Sequence, residues 1–440
     1  MTGPIFSRWG YGLALALLVV VVIVPVLHLA VPRESWLHLS DYHVALAGKI
    51  MCYAICALAM DLIWGYAGIL SLGHGLYFAL GGYAMGMYLM RQIGHDGVYQ
   101  SDLPDFMVFL DWKALPWHWT LSGSFIGQLA LAVAVPGLLA FVFGFFAFRS
   151  RIKGVYFPII TQAMTYAAML LFFRNETGFG GNNGFTDFKR VLDLPLATPG
   201  MRAGLFALTG AVLVGFLALS RFIVGSKYGR VLQAIRDAEA RVMFSGYDPI
   251  AYKLSIWTLS AMMCGVAGAL YVPQVGIINP GEMSPAAGIE IAIWAAVGGR
   301  ATLIGPVLGA FFVNGAQSWF TQLLPEFWLY FLGALFIAVT LFMPEGIVGA
   351  LRGAPRLLAR LRRAEAREEG VAADAVDEVG LIGPIGESGA GSASGEGSES
   401  SASSESGAIG EGGEAVGSTS GIAPGSDAPG MTGTTREARA

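Results

Sequence analysis

Long apolar runs broken by short polar or charged stretches dominate the chain. Ten of them come close to the length that crosses roughly 30 Å of hydrocarbon, at 11–31, 44–65, 69–90, 125–148, 154–173, 204–224, 254–273, 286–299, 303–324 and 328–343. In lipid the backbone has no water to bond, so runs of this kind are expected to be helices. The pattern therefore predicts an all-α integral membrane protein of about ten spans. Five spans precede residue 200 and five follow it, and an odd number of crossings turns the second half upside down relative to the first. The first run, Tyr11 to Ala30, is longer than a signal-peptide core and has no small-residue cleavage site, so it is expected to stay as an anchor.

Basic residues between the runs set the expected orientation. Arg149, Arg151 and Lys153 follow the fourth run, Lys227, Arg230, Arg236 and Arg241 follow the sixth, and Arg352, Arg356, Arg360, Arg362 and Arg363 follow the tenth. All three clusters fall on one side, which the positive-inside rule makes cytoplasmic together with both termini. The other side receives 91–124, with Trp112, Trp117 and Trp119 as expected interfacial aromatics, and the glycine-rich polar segment 174–203.

Two interruptions differ from ordinary loops. Gly65-Tyr-Ala-Gly-Ile-Leu-Ser-Leu-Gly-His-Gly75 separates runs two and three, and Pro273-Gln-Val-Gly-Ile-Ile-Asn-Pro-Gly-Glu-Met-Ser-Pro285 separates runs seven and eight. Gly68-Ile-Leu-Ser71 aligns with Gly276-Ile-Ile-Asn279. Broken helices at matching places in two halves point to a transport pathway, because unwound backbone presents N–H and C=O groups to a polar solute. Ser71, His74 and Asn279 are the candidate pathway side chains, since polar groups at membrane depth are costly unless paired or facing water. Glu290 joins them, close to the N-terminal end of a short half-helix where the dipole favours a carboxylate. Lys49 and Asp61 are further ionisable residues in or near spans. The competing reading is structural: glycines for close helix packing, and a structural role for Glu290.

Composition sharpens this picture. The chain is 55% hydrophobic, only 13% charged and carries 60 glycines, which excludes an ordinary water-soluble protein of 440 residues. The net charge of -4 misleads, because acidic residues crowd into the tail after about residue 370, a Gly/Ser/Ala/Glu segment expected to be disordered. The expected division is a permease domain 1–350, a basic juxtamembrane segment 351–369 and the tail 370–440. Cys52, Cys56 and Cys264 fall in apolar runs without metal-ligand partners, so neither metal nor cofactor is expected. The chain has no G-x-x-x-x-G-K-[ST] phosphate loop, and neither H-E-x-x-H nor G-x-S-x-G, so ATP hydrolysis or intramembrane catalysis by this chain is not expected.

The loop 225–253 combines basic residues with an amphipathic pattern over 230–245, placing Leu232, Ile235, Glu239, Val242 and Phe244 near one side. Gly246 and Pro249 stop the helix. This loop resembles the coupling segment of ABC importer permeases, with Ala238-Glu239-Ala240 and Gly246 at the matching positions, though it departs from the full Glu-Ala-Ala-x-x-x-Gly pattern. Together with Gly68-Ile-Leu-Ser-Leu-Gly-His-Gly75, Thr177-Gly-Phe-Gly-Gly-Asn-Asn-Gly184 and Ala296-Val-Gly-Gly-Arg-Ala-Thr-Leu-Ile-Gly-Pro306, it is similar to the branched-chain amino acid type permeases. The blocks 81–94, 105–113 and 271–280 resemble the urea branch of that family. The resemblance implies a urea import permease in a bacterial inner membrane, with ABC ATPase subunits, a second homologous permease and a periplasmic or extracellular solute-binding protein as partners. It also implies that Arg236, Glu239 and Gly246 serve ATPase coupling. A branched-chain amino acid or short-amide importer is the near alternative, and an ion-coupled secondary transporter the remoter one.

Overall fold

The computed structural model describes residues 8–349 except 33, 36, 153 and 343–345. Lys153, the basic segment 351–369 and the tail 370–440 therefore lie outside the described residues. The helices are α1 (Arg8–Ala30), α2 (Asp41–Asp61), α3 (His74–Arg91), α4 (Asp105–Phe109), α5 (Phe125–Arg149), α6 (Tyr156–Phe172), α7 (Pro199–Gly225), α8 (Lys227–Phe244), α9 (Pro249–Val275), α10 (Pro285–Gly298), α11 (Ile304–Leu323) and α12 (Trp328–Phe342). Each of the ten apolar runs is a helix, and α4 and α8 lie in the connections. By length and composition, four described segments suffice to cross a membrane: Asp41–Tyr66, Phe125–Arg149, Pro199–Gly225 and Pro249–Val275. At about 1.5 Å per residue, the 14-residue α10 reaches only about 21 Å.

Helix boundaries follow local chemistry. The Ser284 hydroxyl accepts from Ala287 N with Pro285 in the first turn of α10, and the Asp248 carboxylate accepts from Ile250 N with Pro249 in the first turn of α9. The centre of the bundle and its periphery divide by composition. The apolar window of α2 is 78% buried inside the protein and that of α5 only 28%. The outer helices turn Leu15, Val22, Leu138, Phe146 and Phe222 outward, an apolar belt suited to lipid.

At the centre α3 crosses α9 with backbones touching. A Cβ on Gly81 would fall on the Gly265 carbonyl, and one on Gly268 would fall on the Phe78 carbonyl. Lipid supplies no hydrophobic drive for helices to associate, so close approach through small residues is what holds such a crossing.

The two predicted interruptions share one local geometry. α2 runs on as a π-helical turn, Leu62–Tyr66, before Gly68 takes φ +73°, and α9 ends on Gly276 at φ +83°. Three residues later a side-chain oxygen accepts from the N–H two positions on: Ser71 from Gly73 at 3.1 Å, Asn279 from Gly281 at 2.9 Å. The two segments thus share a left-handed glycine and a side-chain turn, while only the second contains a strand, Ile277–Ile278.

On the side opposite α8, the glycine-rich segment forms a cap. β1 (Phe185–Thr186) pairs antiparallel with β4 (Ile277–Ile278), joining the loop after α6 to the break after α9. β2 (Arg190–Val191) and β3 (Leu194–Pro195) form a hairpin, and Arg190 pairs with Asp96. Trp119 departs from the expected interfacial position. It is 5% exposed, its indole donates to the Gly178 carbonyl at 3.0 Å, and Phe179 and Phe185 pack on its ring. Trp117, 84% exposed, keeps an outward position.

α8 is amphipathic as expected, burying Leu232, Ile235 and Val242, but Phe244 is 92% exposed. The cause is a kink: Ala238 has φ -154° and ψ 68°, which rephases the last turn and carries Phe244 off the buried side.

Candidate functional site

Ser71 and His74 are both fully buried and belong to one network. Ser260 donates its hydroxyl to the Ala59 carbonyl at 2.9 Å, so at 2.6 Å it accepts from His74 Nε2. His74 Nδ1, 3.1 Å from Ser71 Oγ, is then the acceptor of a neutral imidazole. Trp257 and Tyr77 meet the ring edge-on. The network ties α2, α3 and α9 together, and every polar atom of the His74 ring is used inside the protein.

Beside it the two breaks press together as a close-packed seam. A Cβ on Gly288 would fall on the Leu72 carbonyl, and one on Gly75 would lie 2.8 Å from the Glu282 carbonyl. Thr161 of α6 accepts from Leu72 N at 3.1 Å. Both amide atoms of Gln162 are buried here without a hydrogen-bond partner among the described residues. Asn279 is half-buried, with its oxygen committed to Gly281. Glu282 accepts from the Tyr271 hydroxyl at 3.0 Å.

A space of about 400 Å³ adjoins the first break at Gly68, Ile69 and Leu70, beside Arg236 and Glu239 of α8. A cavity of about 510 Å³ sits on the side opposite α8 among α2, the end of α9, α10 and α11. Tyr42, Lys49 and Tyr53 of α2, Gln274, Glu290, and Asn314, Gln317, Ser318, Thr321 and Gln322 of α11 supply its polar lining. The five α11 residues fall at i, i+3, i+4, i+7 and i+8, one helical stripe. Lys49 holds its ammonium 5.6 Å from the centre of the Tyr53 ring, and Tyr53 packs on Trp294 and Tyr271. Among the described residues no ion pair joins Lys49 to Glu290, so the cavity presents a cation, a carboxylate, amides and hydroxyls to whatever enters.

Of the four candidate pathway residues, then, Ser71 and His74 come together inside the packed network, Asn279 caps the second break, and Glu290 lines the cavity. Sequence reasoning misses the α11 stripe, although its spacing inside an apolar run is a readable signal. It takes Lys49 only as a charge near a span.

Of the residues expected to serve coupling, Arg236 and Glu239 are bonded to the bundle and Gly246 is exposed. Arg236 donates to the Gly65 carbonyl at 2.6 Å and to Asp237 at 2.8 Å, and Glu239 pairs with Lys253 of α9 at 2.6 Å. Gly246 takes φ +85°, a left-handed stop that admits no ordinary side chain cheaply. Asp61 is structural. Its two oxygens accept from Ala301 N at 2.6 Å and Leu303 N at 3.0 Å, holding the α10–α11 turn, where both residues have positive φ.

An apolar belt, broken helices and a polar cavity define an integral membrane permease. Residues 42–340 match the family of permease components of branched-chain amino acid transport systems, and the chain belongs to that family. It is a transport subunit of an ABC importer and not an enzyme; the family works with separate ATPase and solute-binding partners. The chain is 24% identical over 370 residues, 78% of each chain, to the high-affinity branched-chain amino acid permease protein LivM of Salmonella typhimurium. It is 23% identical to LivM of Escherichia coli over 75% of each chain. It is also 27% identical to the autoinducer 2 import permease LsrC of Enterobacter sp., over 54% of this chain and 64% of that one. No solved structure matches.

Proposed function

We propose that the chain takes up urea, as one of two related permeases in an ABC importer of a bacterial inner membrane. The carrying observation is the cavity lining: Gln274, Asn314, Gln317 and Gln322, with Ser318 and Thr321, surround a space of about 510 Å³. Although Gln274 donates to Thr209, Asn314 to Ala310 and Thr321 to Gln317, their oxygens and the amides of Gln317 and Gln322 line it. Urea is a neutral planar amide with one acceptor oxygen and four N–H donors, and dispersed hydrogen-bond groups of both kinds suit it. The resemblance of 81–94, 105–113 and 271–280 to the urea branch supports the same cargo. In this reading the ten apolar helices cross in two inverted halves with cytoplasmic termini, the cavity opens toward the binding protein, and α8 faces the ATPase.

A second reading, an amino-acid cargo, is favoured by Lys49 and Glu290, which could meet a carboxylate and an ammonium, and by the names of the relatives. ATP-dependent uptake of labelled urea and labelled leucine into vesicles holding the complete complex separates the two. Urea accumulation without leucine is expected; leucine accumulation without urea overturns the assignment.

A further inference from the structure

The charged groups on the α8 side form a line, from exposed Arg236 to buried Asp61, that transport of a solute does not itself require. Arg236 is bonded to the Gly65 carbonyl, and its side-chain stem lies where a Cβ on Gly68 would be, 2.7 Å from Cγ. Gly65 belongs to the π-helical turn, and a Cβ there would strike both the Asp61 carboxylate and the Ala301 backbone. Asp61 in turn holds Ala301 and Leu303 through both oxygens, and Arg300 lies over the Trp64 ring at 4.6 Å. The 299–303 turn joins α10, which carries Glu290, to α11, which carries the polar stripe. A π turn has one residue more than the α-helical pitch accommodates, which makes it a place where a helix changes register readily.

We propose that Arg236 and Asp61 are positioning residues that carry movement of α8 through the π turn 62–66 to the α10–α11 pair, and so to the wall of the polar cavity. The proposal rests on α8 being the segment that meets the ATPase. Charge-assisted bonds suit this role because each is short and directional, and a buried carboxylate with two N–H donors resists separation from them. The second tie, Glu239 to Lys253, holds α8 to α9 and gives the kink at Ala238 a fixed point on its far side.

The test places nitroxide labels at Phe244→Cys on α8 and Phe312→Cys on α11, both exposed positions, in the complete complex in lipid; Cys52, Cys56 and Cys264 are buried. In the unaltered background, ATP with vanadate is expected to change both spectra. With Arg236→Met the label at 244 should still respond while the label at 312 no longer does, and solute moved per ATP should fall about tenfold, the worth of one charged hydrogen bond. Arg236→Lys, which can still donate to Gly65, should restore both. Asp61→Asn should reproduce the loss at 312, and the double variant should add nothing further. A label at 312 that responds normally in Arg236→Met overturns the relay alone. A label at 244 silent in the unaltered complex overturns the coupling role of α8, and the relay with it.

Discussion

The seam between the two breaks and the cavity beside α11 are both built from polar groups set among apolar helices, yet they are opposites. At the seam Ser71, His74 and Ser260 spend their hydrogen bonds on one another and on the Ala59 carbonyl, and backbone touches backbone at Gly288 and Leu72. In the cavity Lys49, Glu290 and the α11 stripe face about 510 Å³ of space. Polarity in a membrane protein therefore has two uses, locking broken helices in place and offering bonds to a passenger, and residue type alone does not separate them. Exposure to space does: His74 is enclosed with both ring nitrogens bonded, whereas Lys49 and Glu290 line the cavity.

The largest expected effect tests the seam. Gly288→Leu would drive a side chain into the Leu72 carbonyl and should destabilise the subunit by about 3 kcal/mol or more, read as loss of assembled complex on size exclusion. Normal assembly would mean the seam is loose enough to be a pathway. Next, His74→Phe removes both ring bonds and should cost about 2 kcal/mol in thermal unfolding of the purified complex. A loss of uptake with unchanged stability would move His74 from scaffold to passage.

Glu290→Gln sharpens the other side of the comparison. Uptake should fall about tenfold, equivalent to about 1.4 kcal/mol, with unchanged unfolding. An unaltered rate would remove the cavity from the transport route. The smallest effect is expected at Gln162→Leu, which replaces a buried amide without a partner among the described residues by an apolar side chain of similar size. It should stabilise the complex by about 1 kcal/mol and leave uptake intact. Loss of uptake would place the solute in the seam after all.

How much of the molecule is legible in its sequence follows from how far each signal reaches along the chain. Helices and breaks are local, and the apolar runs, Gly68, Gly276, Pro273 and Pro285 are enough to mark them. The glycine stop at Gly246 is equally local, whereas the Ala238 kink has no residue-type signature and displaces Phe244. The pairing of His74 with Ser260 spans 186 residues and that of Asp61 with Leu303 spans 242, so no periodicity announces either. The α11 stripe is legible from Asn314 to Gln322, but reading it requires asking which polar groups line a cavity, a question that needs the fold.

The glycine crossing of α3 and α9 has a consequence for biogenesis. Gly81 and Gly265 touch across more than half of the permease sequence, so α3 must wait in the bilayer with its small-residue face uncovered until α9 has been synthesised and inserted. The amino-terminal helices cannot mature as an independent unit, and quality control sees an unfinished core for most of translation. A chain severed in the loop between α6 and α7 and expressed as two pieces should regain a protease-resistant core only when both pieces share one membrane, each serving as the template on which the other closes.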